Sequence, residues 1–340
     1  MIYIIYQTAF IGDIILSTSM VKTINDIDPE GKIVFITTVP GESLLKNNKR
    51  IDKIITFDKR QRDKGLTGLL NIINEIKEII GGSDTIYIST HRFIRASILG
   101  VFIGSGTRVG FKGSFHSFLY NNRVQYRLGI HEIERNFELL KAAFDVKLSG
   151  RNPGRPELFP SEDDLTIVKN IIADEIGNDG RIVSIAPGSI WYTKRWPTEY
   201  FKKLVELLNN RDISVILIGG KDDQEICCRI ASEKSLNLAG RLSLLESAAA
   251  ISLSSAIITN DSAPLHMASA MNIPTVAIFG ATTLNFGFWP LADISRVLEN
   301  KGLDCRPCGR HGGKTCREKH FNCMKKISPE MVFNEIIQLI

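Results

Sequence analysis

Apolar residues along this chain fall into short unbroken runs separated by stretches of helical periodicity. In the first half the runs are Ile2–Tyr6, Lys32–Thr38, Lys53–Phe57, Thr85–Ser89 and Arg108–Phe111. They are continuous rather than alternating, which suits strands buried on both faces of a parallel sheet. Amphipathic spacing fills the gaps at Asp13–Ile27, Glu42–Asn47, Leu66–Ile80, Ile94–Phe102 and His131–Phe144. Leu148–Glu162 carries three prolines and two glycines and reads as a linker. The alternation then restarts, with strands at Ile182–Ala186, Ser214–Ile218, Asn237–Leu238, Ala256–Thr259 and Thr275–Phe279. Helices follow at Thr198–Asn209, Asp222–Glu233, Leu244–Ser252 and Pro264–Met271. The pattern predicts an α/β chain of two doubly wound domains, residues 1–155 and 156–327. Ser328–Ile340 opens with Ser-Pro-Glu, a good helix start, and is expected as a C-terminal helix packing back on the first domain. Ligands of such sheets sit beyond the carboxyl ends of the strands, so a cleft between the domains is the expected site.

Composition adds little to this until the charge is divided. The 340 residues are 44% hydrophobic and 23% charged, which excludes collagen-like, coiled-coil and wholly disordered chains. The net charge of +5 is too mild to point to nucleic acid, and the cations form no stripe interleaved with aromatics. Residues 1–160 hold 22 Lys/Arg against 16 Asp/Glu, and residues 161–340 hold 20 against 21. The first half is therefore basic and the second near neutral. No apolar run reaches 18 residues, and the N-terminus lacks a basic segment ahead of its apolar run. A cytoplasmic protein is expected. Six cysteines then need a reason, since structural disulfides are rare in that compartment.

Three strand-to-helix loops carry the candidate chemistry. Phe10-Ile11-Gly12-Asp13 follows the first strand. Asp13 suits either a helix-start carboxylate or a general base. The loop lacks GxGxxG, which argues against a dinucleotide-dependent dehydrogenase. Ala186-Pro187-Gly188-Ser189 leads to Lys194-Arg195-Trp196-Pro197. A small-residue turn, two cations and a Pro at the helix start suit a phosphate, although this is not a Walker loop. Asn260-Asp261-Ser262-Ala263-Pro264-Leu265-His266 again ends a strand and opens a helix. Its amides can bind a diphosphate, while Asp261 would repel one and suits sugar hydroxyls.

Taken in order, Gly12-Asp13, Pro187-Gly188-Ser189, Lys194-Arg195-Trp196-Pro197, Ile218-Gly219-Gly220 with Asp222, and Asn260-Asp261-Ser262 with His266 resemble glycosyltransferase family 9. These are the bacterial ADP-heptose:lipopolysaccharide heptosyltransferases. The Lys-Arg-Trp-Pro form and the four-cysteine segment are similar to the heptosyltransferase II branch. The resemblance implies a GT-B fold: two Rossmann-like domains, the first binding acceptor and the second the ADP-sugar donor. It implies inverting transfer without a catalytic metal. Asp13 then matches the base, with Gly12 beside it, and Lys194 the donor-phosphate lysine. Gly188 and Ser189 share that phosphate-facing loop. Asp222 stands where an acid lies near the ribose, and Asp261, Ser262, Ala263 and His266 match the heptose and diphosphate turn. Two departures stand out. Ser262-Ala263 replaces the common Thr-Gly, and Ser17-Thr18-Ser19 stands where a Pro is common.

The implied acceptor, the lipid A-linked inner core, carries carboxylates and phosphates. The basic first half fits that, with Arg60 and Arg92 as candidate acceptor contacts. The resemblance also implies peripheral contact with the cytoplasmic face of the inner membrane. Cys305, Cys308, Cys316 and Cys323 fall within 19 residues and suit a structural zinc or a cluster of reduced thiols. Two readings compete with heptosyl transfer: a family 9 transferase using another nucleotide sugar, and a non-catalytic nucleotide-sugar binding protein.

Overall fold

The unbroken apolar runs become the strands of two parallel sheets. The computed structural model describes residues 1–340 apart from 59–62, 64, 145–147, 149 and 178–179, and it divides into Met1–Glu157 and Leu158–Ile340. In the first unit the order is β1 (Ile2–Tyr6), α1 (Ile11–Ile27), β2 (Lys32–Thr37), α2 (Val39–Leu45), β3 (Lys53–Thr56), α3 (Gly65–Ile80), β4 (Thr85–Ser89), α4 (Ile94–Phe102), β5 (Thr107–Phe111), β6 (Asn122–Val124) and α5 (Glu132–Phe144). The second unit runs α6 (Glu162–Ile176), β7 (Arg181–Ala186), α7 (Thr198–Asn209), β8 (Ile213–Leu217), α8 (Gln224–Ile230), β9 (Ser235–Asn237), α9 (Leu244–Ser252), β10 (Ala256–Asn260), α10 (Ala263–Met271), β11 (Thr275–Phe279), β12 (Ser295–Glu299), α11 (Asn322–Lys325) and α12 (Pro329–Ile337).

Among the described residues each unit holds one six-stranded parallel sheet. The strand orders are β3-β2-β1-β4-β5-β6 and β12-β11-β10-β7-β8-β9. Read from its own first strand, each unit has the same order, 3-2-1-4-5-6, the doubly wound order of open α/β sheets. The central strands β1, β10 and β11 are buried along their whole length, which is why their sequences are apolar without alternation. No described helix is long and apolar enough to cross a membrane.

Three features differ from the sequence expectation. The edge strands β6 and β12 and helix α6 were not expected. The two strands are short or half-exposed and carry little apolar signal. Helix α6 begins inside the supposed linker, started by a capping box between Ser161 and Asp164. The C-terminal helix was expected on the first domain. Instead α12 buries Val332 and Ile336 in the core of the second unit, against α7 and β11. That core is built around Trp196, whose indole N–H donates to the Ile327 carbonyl at 2.9 Å and so ties α12's entry to the α7 loop.

Candidate active site

In each unit the strand order reverses between two central strands, and loops leaving such a pair diverge to form a crevice. In the second unit the pair is β7 and β10. Asn260, the last residue of β10, holds both ends of the loop that leaves β7. Its Nδ2 donates to the Pro187 carbonyl at 2.8 Å and its Oδ1 accepts from the Trp196 amide at 3.1 Å. Gly188 is required by close approach. A Cβ there would lie 2.2 Å from Oδ1 of Asp223. Farther along, Arg195 Nε donates to the Ser189 carbonyl at 2.6 Å, and a short 3₁₀ turn over Tyr192–Lys194 aims Lys194 inward.

That lysine meets Asp261. Lys194 Nζ lies 2.6 Å from Asp261 Oδ2, with both side chains largely withdrawn from solvent. Thr282 Oγ1 donates to the same Oδ2 at 2.6 Å. Asp261 leads into α10. Ser262 occupies the N-cap position without a side-chain cap bond, Ala263 is the first helical residue and Pro264 follows. A proline N–H would be an orphan there in any case. The amide ends of α10 and the Lys194 ammonium thus bring positive potential to one place, suited to an oxyanion. His266, one turn on, is buried, and its Nδ1 has no hydrogen-bond partner among the described residues. Burial lowers its pKa to about 4. Asp261 works against that shift and Lys194 adds to it. The imidazole is therefore neutral at pH 7 and adds no charge beside the ion pair.

The rest of the lining comes from the region around the cysteines. Gly313 N–H donates to Thr193 Oγ1 at 2.7 Å, and Thr193 N–H donates back to the Gly313 carbonyl at 3.1 Å. His311 stacks on Trp191, and burial together with Lys194 holds its pKa below the ordinary histidine value. Arg306 is buried against Glu299 at 2.7 Å and donates to the carbonyls of Phe279, Gly280, Asn300 and Thr282. It therefore anchors the loop that presents Thr282.

In the first unit the reversal lies between β1 and β4. The Thr8 N–H donates to His91 Nε2 at 2.8 Å, so the imidazole proton sits on Nδ1 and the two loops are locked together. Gly12 is buried and Asp13 is half-buried, the third residue of α1. Phe10 occupies the N-cap and makes no side-chain cap bond. Asp13 is therefore in the first turn, where the helix favours a carboxylate, but is not the cap. Ser17, Thr18 and Ser19 return their hydroxyls to the carbonyls of Asp13, Ile15 and Leu16, at 2.7–2.9 Å. Thr18 also accepts from the Glu157 amide at 2.8 Å. The hydroxyls that replace the expected proline thus have structural partners. Arg92 stacks its guanidinium 4.5 Å over Tyr126. Arg60 lies outside the described residues.

Asp222 is exposed in a 3₁₀ turn, and its neighbour Asp223 is the acid built into this loop. Asp223 accepts from the Gly220 N–H at 3.0 Å and packs against Gly188 and Gly219. The zinc reading of the cysteines does not fit. Among the described residues no three His, Cys, Asp or Glu side chains are grouped to hold a metal ion. Cys305, Cys308, Cys316 and Cys323 are free. Burial raises the Cys323 thiol to about 11 and pushes Cys308 up as well. Cys323 is a core packing residue. The pattern of motifs pointed to Lys194, Asp261 and His266 but missed Thr282, Asp223 and Arg306. Thr282 and Arg306 work through long-range contacts, and Asp223, although it ends a short 3₁₀ turn, meets Gly188 35 positions away.

Comparison with known proteins places this geometry. The chain is 34% identical over 169 residues to lipooligosaccharide heptosyltransferase 2 of Campylobacter jejuni, covering 48% of this chain and 52% of that relative. The chain thus spans about half the length of that relative. Haemophilus ducreyi lipooligosaccharide heptosyltransferase 2 is 24% identical, with 99% of both chains covered. The structure of Escherichia coli ADP-heptose lps heptosyltransferase II superposes with a TM-score of 0.81 at 22% identity, covering 100% of this chain and 98% of that one, and it shares the fold. The family model for glycosyltransferase family 9 (heptosyltransferase) matches residues 76–339, more than three quarters of the chain, and the protein belongs to that family.

Proposed function

We propose that this protein transfers a heptose from ADP-L-glycero-D-manno-heptose to the inner-core heptose of lipopolysaccharide, with inversion at the anomeric carbon. The observation that carries this is the buried Lys194–Asp261 pair beside the N-terminus of α10, at the strand-order reversal of the second unit. In this reading the second unit binds the donor and the first the acceptor. Asp13 takes the proton of the acceptor hydroxyl as its oxygen attacks the anomeric carbon. The bond to ADP breaks, and the electron pair leaves on the diphosphate.

Negative charge grows on the diphosphate as that bond breaks. A fixed ammonium and the α10 amides act mostly on that charge, and so mostly on the transition state. They supply what a divalent cation would otherwise supply, so no step is assigned to a metal. Oδ1 of Asp261 takes part in neither the Lys194 nor the Thr282 contact and is assigned to a donor sugar hydroxyl. Gly188, Ser189, Ser262, Ala263 and His266 line the donor site, and Asp222 is assigned to the ribose. Gly12, Arg60 and Arg92 are assigned to the acceptor, whose anionic groups match the basic surplus of residues 1–160. The enzyme is placed in the cytoplasm, at the inner face of the membrane that holds its acceptor.

The test is incubation with ADP-heptose and a mono-heptosylated acceptor, read by mass spectrometry. A gain of one heptose is expected. No gain with this donor, together with a gain from another nucleotide sugar, would refute the donor assignment. Asp13→Asn should abolish transfer and leave ADP affinity unchanged. Transfer retained in that variant would refute the base, and transfer by neither protein would favour a binding module.

A further inference from the structure

The cysteine-bearing segment takes no part in the chemistry above, yet it crosses both loops that present the partners of Asp261. Lys194 ends a 3₁₀ turn of three residues, Tyr192–Lys194. So short a turn satisfies few of its own backbone groups. Its bonds run from the Lys194 N–H to the Trp191 carbonyl at 3.0 Å and from the Arg195 N–H to the Tyr192 carbonyl at 2.9 Å. The Thr193 N–H is left over, and it donates to the Gly313 carbonyl at 3.1 Å. In return the Thr193 hydroxyl accepts the Gly313 N–H at 2.7 Å. Thr193 is 1% exposed, so its side of this reciprocal bridge, made between residues 120 positions apart, is shielded from water.

Gly312 closes the contact. Its φ of +81° lies in the left-handed region that favours glycine. A Cβ there would also stand 2.8 Å from Thr193 Oγ1, 3.4 Å from Lys194 Cγ and 3.6 Å from Ala281 Cβ. The backbone at Gly312 therefore lies against the Lys194 stem and against the loop after β11. The same segment grips that loop twice more. The Cys308 N–H donates to the Ala281 carbonyl at 2.8 Å, and Arg306 donates to the carbonyls of Phe279, Gly280 and Thr282. Residues 306–313 thus form a strap across two loops. One loop carries Lys194 and the other Thr282, and both side chains converge on Asp261 Oδ2 at 2.6 Å. A lysine stem is flexible, and its ammonium stabilises a leaving group best when it already points there.

We propose that the strap 306–313 aims Lys194 at the donor diphosphate, with Thr193 as the positioning residue through which it acts. The inference rests on the reading of Lys194 as the lysine that stabilises the ADP leaving group, and it names what holds that lysine in place.

The full-length protein is assayed for heptosyl transfer as wild type, Thr193→Val, Thr193→Ser and Gly312→Ala. Thr193→Val keeps the shape of the side chain and removes the acceptor for the Gly313 N–H. Its kcat should fall on the order of 10- to 100-fold while the KM for ADP-heptose changes by less than about threefold, the pattern of a group that acts on the transition state. Thr193→Ser keeps the hydroxyl and should recover most of the loss. Lys194 is also read directly, with no sugar present, by acetic anhydride labelling and mass spectrometry, using the exposed Lys203 as the internal reference. Thr193→Val should raise Lys194 labelling several-fold, because a loosened stem leaves the Asp261 pair more often, and Thr193→Ser should not. If circular dichroism shows Thr193→Val unfolded, the same two readouts are taken on Gly312→Ala, which crowds the strap and leaves Thr193 in place. Unchanged kcat and labelling with only a lower melting temperature would make the bridge merely structural and overturn the proposal. Equal losses in the Val and Ser variants would do the same. Labelling needs no donor, so an unchanged Lys194 refutes the strap whatever the transfer assay gives, and a wild type that transfers no heptose refutes the transfer reading whatever the labelling gives.

Discussion

His266 is buried beside an ion pair, its Nδ1 unpartnered among the described residues, and its pKa falls from 6.5 to about 4. A histidine held neutral by folding makes the unfolded chain the better proton acceptor between those two values. Its contribution to stability is fully present above pH 6.5 and is lost as the pH falls toward 4. At pH 5 the proton affinities differ enough to favour unfolding by ~30-fold, about 2 kcal/mol, relative to pH 7.5. His266→Leu removes the titration, and it also removes an unpartnered buried nitrogen, whose desolvation costs about 1–3 kcal/mol. The assay is urea unfolding followed by tryptophan emission. Trp191, Trp196 and Trp289 all lie in the second unit, so the signal reports the unit that holds His266. His311 titrates in the same direction but is present in both proteins and cancels in the comparison. Wild type should lose about 2 kcal/mol more than His266→Leu between pH 7.5 and 5. A difference between the two that stays flat with pH would refute the argument.

Gly188→Ala should destabilise the second unit by about 1–3 kcal/mol, because the new methyl would meet the Asp223 carboxylate at 2.2 Å. Urea titration of Gly188→Ala with Asp223→Ala should show a loss smaller than the sum of the single losses, and strict additivity would rule out the clash. Arg306→Met leaves the buried Glu299 with only the exposed Lys301, at 3.7 Å, as a cationic partner among the described residues, at a cost of about 3 kcal/mol. The exposed pair Arg296–Glu335, at 3.5 Å, is the control, and Arg296→Met should cost under about 1 kcal/mol by the same titration. Equal losses for the two arginines would remove burial as the cause.

The central strands were legible because a parallel strand covered on both faces has to be apolar throughout, and Ile2–Tyr6, Thr85–Ser89 and Thr275–Phe279 are found where their runs lie. The edge strands were not, since β6 and β12 are half-exposed and their residues answer to local pairing rather than to a core. Helix α12 shows the limit more clearly. Its Ser-Pro start announces a helix, but an amphipathic pattern does not name the surface it covers. Val332 and Ile336 cover the core of the second unit.

The sequence by itself determined two α/β domains, the loops that carry chemistry, and the uneven charge between the halves. Each follows from short-range rules: periodicity, turn residues and composition. Tertiary structure alone decided that Lys194 pairs with Asp261, that Thr282 and Arg306 support the pair, and that Asp223 rather than Asp222 packs on Gly188. It also decided that the four cysteines form no disulfide with one another. The reason is the same in each case. Burial and partnership join residues 20 to 90 positions apart, and no local pattern records which surface a side chain meets.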